Sequence, residues 1–213
     1  MARPLETLIE PATTAIVTCE MQRGVIGDLA PSPELADEAA ERGIIGATQH
    51  LVHAARANGV RVVHATVELR ADRAGLSINN PIMAISVKNP GQVLQGTPAA
   101  DVVPELGPAP ADIVCRRIHG LTPFTGTELD SILRNLGVRT VIPVGVSVNE
   151  ALLGLCLSAA DLGYQIVLPT DAIAGLPRDY AELVVKHSLA LLARLTTTTR
   201  IIDSWAQLPG GAH

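Results

Sequence analysis

One stretch in the second half of the chain places the strongest constraint on the fold. Residues 140–146 form a β-branched and apolar run, which predicts a strand buried on both faces, as in a parallel sheet. After a short polar break, residues 151–160 are apolar almost all round, which is typical of a central helix. Asn149 is the predicted N-cap of this helix, and Glu150 suits the positive end of its dipole. Open α/β sheets bind ligands where a strand's carboxyl end leads into a helix, so we expect the functional site here.

Strands and helices alternate along the rest of the chain. Strands are predicted at residues 13–20, 60–66, 111–116, 140–146, 165–170 and 197–202. Helices are predicted at residues 33–57, 126–136, 151–160 and 177–195, the first of them with Ser32 as N-cap. Right-handed crossovers between such elements build a doubly wound parallel sheet, and we expect one domain over residues 1–213. The irregular segment 67–98 is predicted to hold one short helix and to form a wall of the substrate site or a subunit contact.

Composition excludes several classes of partner. The 213-residue chain has a formal net charge of −5, with acidic and basic residues mixed along it, which argues against nucleic acid or an anionic membrane. Its first residues lack the apolar core of a signal peptide, and its longest apolar run is too short to span a membrane. Three cysteines without CxxC spacing predict reduced thiols and a cytoplasmic location. We therefore expect a small molecule as substrate or ligand.

Several short motifs follow one another in a fixed order along the chain. They are Glu20-Met21-Gln22, Pro123-Phe124-Thr125-Gly126-Thr127 with Leu129 and Leu133-Arg134, Gly145-Val146, Asp161 with Gly163-Tyr164, and Asp171-Ala172. Together they resemble the motifs of the isochorismatase-like cysteine hydrolases. The resemblance covers nearly the whole chain and implies a three-layer α/β/α fold with a six-stranded parallel sheet. It also implies a homo-oligomer, dimer or tetramer, and a cis peptide bond between Val146 and Ser147.

The family's catalytic set of Asp, Lys and Cys is replaced at all three positions. By resemblance, Glu20 stands in the place of the Asp after the first strand, and Arg117 is the best match for the Lys after the third. The family's Cys lies six residues after the Gly, and here that position is Ala151. The three cysteines at 19, 115 and 156 are predicted to be small buried side chains, so none of them replaces the missing nucleophile.

These replacements change the chemistry that the site can perform. A guanidinium stays protonated, so Arg117 is predicted to bind a carboxylate or carbonyl oxygen and not to transfer a proton. Glu20 is the remaining candidate for a general acid or base. The alternative is that Glu20 and Arg117 form an ion pair that only holds two strand ends together. The residues expected to contact the substrate are Gln22, His119, Phe124, Val146, Ser147 and Glu150.

Two of these contacts have simpler alternatives, and no metal or cofactor is expected. His119 could be a solvated loop residue, and Glu150 could serve only the helix dipole. His64 and Glu68 have no second histidine nearby to complete the metal site that some relatives carry, and the chain has no dinucleotide fingerprint or P-loop.

Two functional hypotheses remain open at this stage. The first is a hydrolase without a covalent cysteine intermediate, for which the family offers a precedent in vinyl-ether hydrolases that rely on the acid. The second is a pseudoenzyme that keeps the fold to bind a ligand or a partner. Loss of the nucleophile favours the second, and retention of charge at positions 20 and 117 favours the first.

Overall fold

The core of the molecule is one six-stranded, all-parallel sheet with the order β3-β2-β1-β4-β5-β6. It is seen in a computed structural model that describes residues 3–89 and 92–207. The strands are β1 (Thr14–Cys19), β2 (Arg61–Val67), β3 (Ile113–Arg117), β4 (Thr140–Gly145), β5 (Gln165–Pro169) and β6 (Arg194–Thr196). The predicted doubly wound parallel architecture is confirmed, and five of the six predicted strands overlap the observed ones.

Helices cover both faces of the sheet. They are α1 (Leu5–Leu8), α2 (Pro33–Glu41), α3 (Ile44–Ala57), α4 (Pro81–Ser86), α5 (Leu129–Asn135), α6 (Leu153–Asp161), α7 (Arg178–Val184), α8 (Ala190–Leu192) and α9 (Thr198–Ala206). Alternate residues of β1 belong to two separate hydrophobic cores: Val17 packs in the core that includes α5, α6 and α7, and Ile16 in the core that includes α1, α2, α3 and α9. In the described ranges, no helix is both long and apolar enough to cross a bilayer.

The strand order reverses between β1 and β4, and Gly145 allows the chain to pass closely at that point. A Cβ at this position would lie 2.2 Å from the carbonyl oxygen of Cys19, and the residue has φ +108°. Only glycine accommodates both conditions without a shift of the backbone. The crevice at the carboxyl ends of β1 and β4 is the place where folds of this type bind ligands.

Two predicted elements are wrong. The helix predicted over residues 33–57 is two helices, because Gly43 adopts a left-handed conformation (φ +66°) between α2 and α3. The sixth strand, predicted at 197–202, lies earlier, at Arg194–Thr196, in residues assigned to the preceding helix. Residues 198–206 form α9 instead, because Thr197 caps the helix and the indole of Trp205 packs in the core and donates to the carbonyl of Ile9 at 2.8 Å.

The predicted caps also differ from the structure. The helix after β4 begins at Val148 with a π-helical turn, Val148–Leu152, so Asn149 lies inside the first turn and is not its N-cap. Ser147 holds the N-cap position without a capping hydrogen bond from its side chain, and Ser32 likewise precedes α2 without one. The earlier start brings Glu150 and Ala151 into the first turn, where their side chains reach the end of the sheet.

A buried polar network ties β1 and β2 to the segment before β3. His64 is fully buried, and its Nδ1 hydrogen-bonds with the Thr18 hydroxyl at 2.9 Å and its Nε2 with Asp112 Oδ2 at 3.3 Å. Arg56 donates to both Asp112 oxygens, at 3.2 and 2.5 Å. Burial lowers the pKa of His64 below its ordinary 6.5, although Asp112 acts in the opposite direction. The fold therefore favours the neutral imidazole.

This network predicts a loss of stability in mild acid. The stabilising contribution of His64 is complete above pH 6.5 and is lost as the pH falls below that value, because the unfolded imidazole then binds a proton that the folded one does not. The effect is at most about 1.4 kcal/mol per pH unit. Denaturant unfolding between pH 7.5 and 5 should show this slope in the wild type and a shallower one in His64→Gln. Exposed His50→Gln serves as control, and parallel slopes in all three proteins would contradict the assignment.

Candidate active site

A cavity of about 110 Å³ lies at the carboxyl ends of β1 and β3, against the first turn after β4. Its polar wall contains Glu20, Arg117 and Glu150, and the methyl group of Ala151 lies beside them. The remaining residues that line the cavity are largely aliphatic: Val25, Val67, Leu69, Ile82, Met83, Ser86, Gln92, Val93 and Leu121. A small apolar pocket with a few converging polar groups is the usual form of a small-molecule site.

Glu20 and Arg117 form an ion pair across the end of β2. Arg117 Nη2 donates to Glu20 Oε1, and Arg117 Nε donates to the Gly120 carbonyl at 3.2 Å. The Arg117 side chain is 4% exposed and that of Glu20 17%. A guanidinium this deeply buried requires a carboxylate partner, because the loss of hydration is otherwise uncompensated. The ion pair predicted as a structural alternative is therefore present, and it stands in the wall of the cavity.

One nitrogen of Arg117 is left without a protein partner. Nη1 is buried and makes no hydrogen bond within the described part of the chain. A buried donor without an acceptor is costly, so such groups usually mark a place that water or a ligand occupies. Because the Arg117 side chain also lines the cavity, its guanidinium is the group there that could donate to a carbonyl or carboxylate oxygen.

The backbone of Glu20 is held in an unusual conformation. The residue has φ +53°, in the left-handed region that non-glycine residues rarely adopt. Its N–H donates to the Ala65 carbonyl at 3.0 Å, and its own carbonyl accepts from the Gln22 N–H at 2.8 Å. The turn therefore directs the carboxylate toward the end of β3 and not along β1.

None of the three cysteines lines the cavity. Cys19, Cys115 and Cys156 are free and buried, as predicted. Burial raises the pKa of all three thiols, in the case of Cys156 to about 12, which disfavours the reactive thiolate. Ala151 lies in the first turn of the helix, with its methyl group against the cavity.

Glu150 adjoins Ala151 and is the second carboxyl group of the cavity. Burial, and to a smaller extent the nearby Glu20, raise the pKa of Glu150 above its ordinary 4.5. A residue that served only the helix dipole would have its charged form favoured, which is the opposite direction. The environment of Glu150 therefore favours the protonated form more than that of an ordinary surface glutamate.

The structure does not bring the other five predicted contact residues to the cavity wall. Gln22 is fully buried and bridges two segments, donating to the carbonyls of Val67 and Ala100 and accepting from the Val67 N–H. Phe124 packs in the core against the ring of Tyr164. The remaining three are Val146, which is buried in the opposite core, Ser147, and the exposed His119. The predicted cis peptide bond between Val146 and Ser147 is present.

The irregular segment after β2 supplies the wall that sequence motifs did not identify. Asn80 caps α4 by accepting from the Met83 N–H at 3.0 Å, and this short helix places Ile82 and Ser86 against the cavity. Val93 contributes from the return of the segment toward β3. In the sequence, only the unusual length of the segment pointed to this wall. It indicated the segment but did not identify which of its side chains line the cavity.

Two other features bear on the choice of site. Within residues 3–89 and 92–207, no group of three or more His, Cys, Asp or Glu side chains is arranged to hold a metal ion. A larger cavity of about 340 Å³ lies between α7 and the ends of β5 and β6, with Arg42, Glu182 and Lys186 among largely apolar neighbours. Among the residues that the structure describes, only the smaller cavity combines a carboxylate, a buried cation and the first turn of a helix, so it is the candidate active site.

Fold and site together define a doubly wound α/β protein with a candidate small-molecule site at the carboxyl ends of its parallel strands. Residues 14–200 match the Isochorismatase domain family. The chain is 29% identical over 197 residues to the uncharacterized isochorismatase family protein YecD of Escherichia coli O157:H7, covering 90% of this chain and 96% of that one. It is 30% identical over 204 residues to the ureidoacrylate amidohydrolase RutB of Rhizobium rhizogenes, covering 88% and 81%.

Solved structures agree with this assignment. An isochorismatase family protein from Desulfovibrio vulgaris superimposes with a TM-score of 0.78 at 27% identity, over 92% of this chain and 99% of that one. A cysteine hydrolase from Pseudomonas syringae shares the fold, with a TM-score of 0.77 at 24% identity, over 96% and 98%. The chain belongs to the isochorismatase-like hydrolase family.

The position of Ala151 predicts where a thiol would become reactive. In Ala151→Cys, we expect iodoacetamide to modify the native protein at residue 151 at least about tenfold faster than at any of the three native cysteines, because only this thiol would lie at a helix N-terminus in a cavity. Peptide mass spectrometry after brief labelling measures the rates. Ala159→Cys, in the core on the same helix, is the matched control. Equal protection of both introduced thiols would show that residue 151 does not face the cavity.

Proposed function

We propose that this protein hydrolyses a small carbonyl-bearing metabolite by direct attack of water, without a covalent enzyme intermediate. The observation that carries the proposal is the buried Arg117 guanidinium, which is paired with Glu20 on one side and has a free Nη1 on the other. In an ion pair with a purely structural role, every buried donor would be expected to have an acceptor, whereas Arg117 keeps one donor unused and also lines the cavity. A substrate oxygen at Nη1 would complete the hydrogen bonding of the guanidinium.

The relatives support an amide-type or ureido-type substrate. The curated relative from Rhizobium rhizogenes is named for amidohydrolase activity on ureidoacrylate. A carbonyl of this kind carries no full charge, which suits a cavity in which two carboxyl groups face a single guanidinium. The wall of aliphatic side chains and the volume of about 110 Å³ limit the substrate to a small molecule with short apolar parts.

The mechanism assigns separate tasks to Arg117 and Glu20. Arg117 binds the carbonyl oxygen and stabilises the negative charge that develops there when water attacks the carbonyl carbon. Glu20 accepts the proton of the attacking water as general base, and its Oε2 lies outside the contact with Arg117. Because position 151 carries no thiol, the route through an acyl-enzyme is closed.

Substitution of Glu20 tests this assignment. Glu20→Gln keeps the size of the side chain and removes its ability to accept a proton, so we expect kcat to fall ~10²–10⁴-fold with little change in KM. Turnover of small amides and ureido acids, including ureidoacrylate, is measured by release of ammonia or amine. Wild-type turnover should survive iodoacetamide treatment, and mass spectrometry should find no covalent adduct. An undiminished kcat in Glu20→Gln would remove this residue from the mechanism.

Arg117→Lys is the matched comparison for the binding role. Lysine keeps the charge but replaces a planar fork with a point charge, so substrate binding should weaken and KM should rise. A variant that loses kcat alone would indicate that residue 117 acts only in the transition state.

The absence of a thiol at position 151 also favours a second candidate function. In this alternative the fold is kept as a pseudoenzyme, and the free N–H of Arg117 serves to bind a ligand or partner. Thermal-shift screening against small carboxylates and amides separates the two. Stabilisation that depends on Arg117 without turnover of any amide, ester or vinyl ether would favour the binding module.

We also propose that the protein is a cytoplasmic homo-oligomer with segment 67–98 near a subunit contact. Ile78 and Ile85, before and within α4, are each 58% exposed, an unusual exposure for large aliphatic side chains. Light scattering at micromolar concentration should give a mass of at least two chains. Ile85→Glu should lower that mass if α4 lies in the contact. Leu191→Glu, at an exposed position of α8, is the control and should leave the mass unchanged. A monomeric wild type would contradict the proposal.

A further inference from the structure

The cavity contains two carboxyl groups in unlike environments. Glu20 follows β1 and is paired with Arg117, whereas Glu150 is in the first turn after β4. Both line the same cavity of about 110 Å³. Within the described residues, the Glu150 side chain takes part in no ion pair and no side-chain hydrogen bond. One carboxyl group is thus held by a cation, and the other is left without one.

The charged groups around Glu150 are few. Glu20 and Arg117 face it across the cavity. Helix α7, which packs on the other side of the Val148–Leu152 turn, carries Arg178 and Glu182, and both are engaged elsewhere. Arg178 pairs with Glu38 and Glu41, Glu182 pairs with Arg42, and Asp179 accepts from the adjacent Tyr180 N–H. Among the described residues, Arg117 is therefore the cation that shares the cavity with Glu150, and its ion pair is with Glu20.

We infer that Glu150 is the general acid of the reaction and that it protonates the leaving group, while Glu20 takes the proton from the attacking water. This inference rests on the proposed hydrolytic function and adds a second catalytic residue to it. A pair of carboxyl groups whose environments separate their protonation is the arrangement by which one site supplies both an acid and a base. The raised pKa of Glu150, caused first by burial and then by Glu20, agrees with the role of proton donor.

The step is balanced in atoms and charge. Water gives its proton to the Glu20 carboxylate, and its oxygen forms a bond to the carbonyl carbon, whose oxygen becomes an oxyanion on Arg117. The bond from carbon to the leaving nitrogen or oxygen then breaks, and that atom takes the proton of Glu150. Afterwards the proton on Glu20 returns to Glu150 through water, and both groups regain their starting forms. No oxidant, metal or further co-reactant is needed.

The position of Glu150 in sequence explains how this acid reaches the cavity. It directly precedes Ala151, in the turn where the family has its nucleophile, so the same turn that would present a thiol presents a carboxyl group. The methyl group of Ala151 takes less space than the side chain of a cysteine, and Glu150 lines the cavity beside it. A carboxyl group that only stabilised the helix dipole would have no reason to line the cavity.

The test compares substrates that share an acyl group and differ in leaving group. A p-nitrophenyl ester leaves without protonation, whereas an ethyl ester or an alkyl amide requires a proton. In Glu150→Gln, we expect kcat/KM to fall ~10²-fold or more for the ethyl ester and amide, and less than about threefold for the p-nitrophenyl ester. The alkaline limb of the wild-type pH–rate profile should also disappear. Glu182→Gln, on α7 and outside this cavity, is the control and should behave as the wild type.

The outcomes separate this inference from the proposed function. If the wild type hydrolyses none of the substrates, both fail. A different result would be a wild type that is active and depends on Glu20, while kcat/KM of Glu150→Gln falls by the same factor for every substrate or does not fall for any. In that case only the role of Glu150 as general acid is overturned.

A second measurement does not depend on turnover. Carbon-13 NMR of the carboxyl groups should show Glu150 titrating above 4.5, with its titration moving to lower pH in Glu20→Gln. Titration of Glu150 at its ordinary value in the wild type would overturn the inference.

Discussion

The buried guanidinium of Arg117 is the group on which the site depends. It ends β3 in a place where water cannot solvate it, so the protein must supply acceptors. Glu20 provides one from the end of β1, two strands away in the sheet, and Gly120 provides another from the loop after β3. The pair therefore fixes the relative positions of two strand ends and a loop. One nitrogen remains without an acceptor, and the proposed function gives the guanidinium a chemical use as well as a structural one.

The three departures from the family's catalytic residues are consistent with one another. A lysine can share and release a proton, and it suits a mechanism in which a thiol must be activated. Arginine cannot do this, and with Ala151 in the nucleophile's place there is no thiol to activate. What Arg117 can do is hold an oxygen and stabilise charge on it, which is the task that direct attack by water requires. Under the proposed function, the replacement of all three residues is a change of mechanism and not the loss of a single catalytic group.

The scaffold keeps this site separate from the parts that maintain the fold. The two hydrophobic cores on either side of β1 are built from aliphatic side chains, and the His64 network joins β1 and β2 on the side away from the Val148–Leu152 turn. Gly145 lets β4 pass against the end of β1, and Gln22 ties β1 to the wall segment. Substitution of Glu150 should therefore affect chemistry more than stability, whereas loss of Glu20 or Arg117 also breaks the buried ion pair.

The sequence by itself determined the elements whose signals are local. Runs of β-branched residues predicted five strands, and the parallel order followed because crossovers through helices leave few alternatives. The order of the family's motifs pointed to Glu20, Arg117 and Ala151, and the structure brings these three residues to one cavity. The failures were also local: Gly43 breaks a helix that periodicity predicts as continuous, and Thr-rich residues 197–202 fold as a helix because Trp205 is buried against α1 and its surroundings.

Only the tertiary structure decided what each charged group can do. The environment of Glu150 depends on burial and on Glu20, which is 130 residues away in sequence, and no local pattern contains that information. The unused nitrogen of Arg117 and the wall formed by α4 likewise exist only once distant segments meet. Strand and helix formation depends on neighbouring residues, whereas protonation and hydrogen bonding in a cavity depend on the low dielectric and the partners that the whole fold assembles.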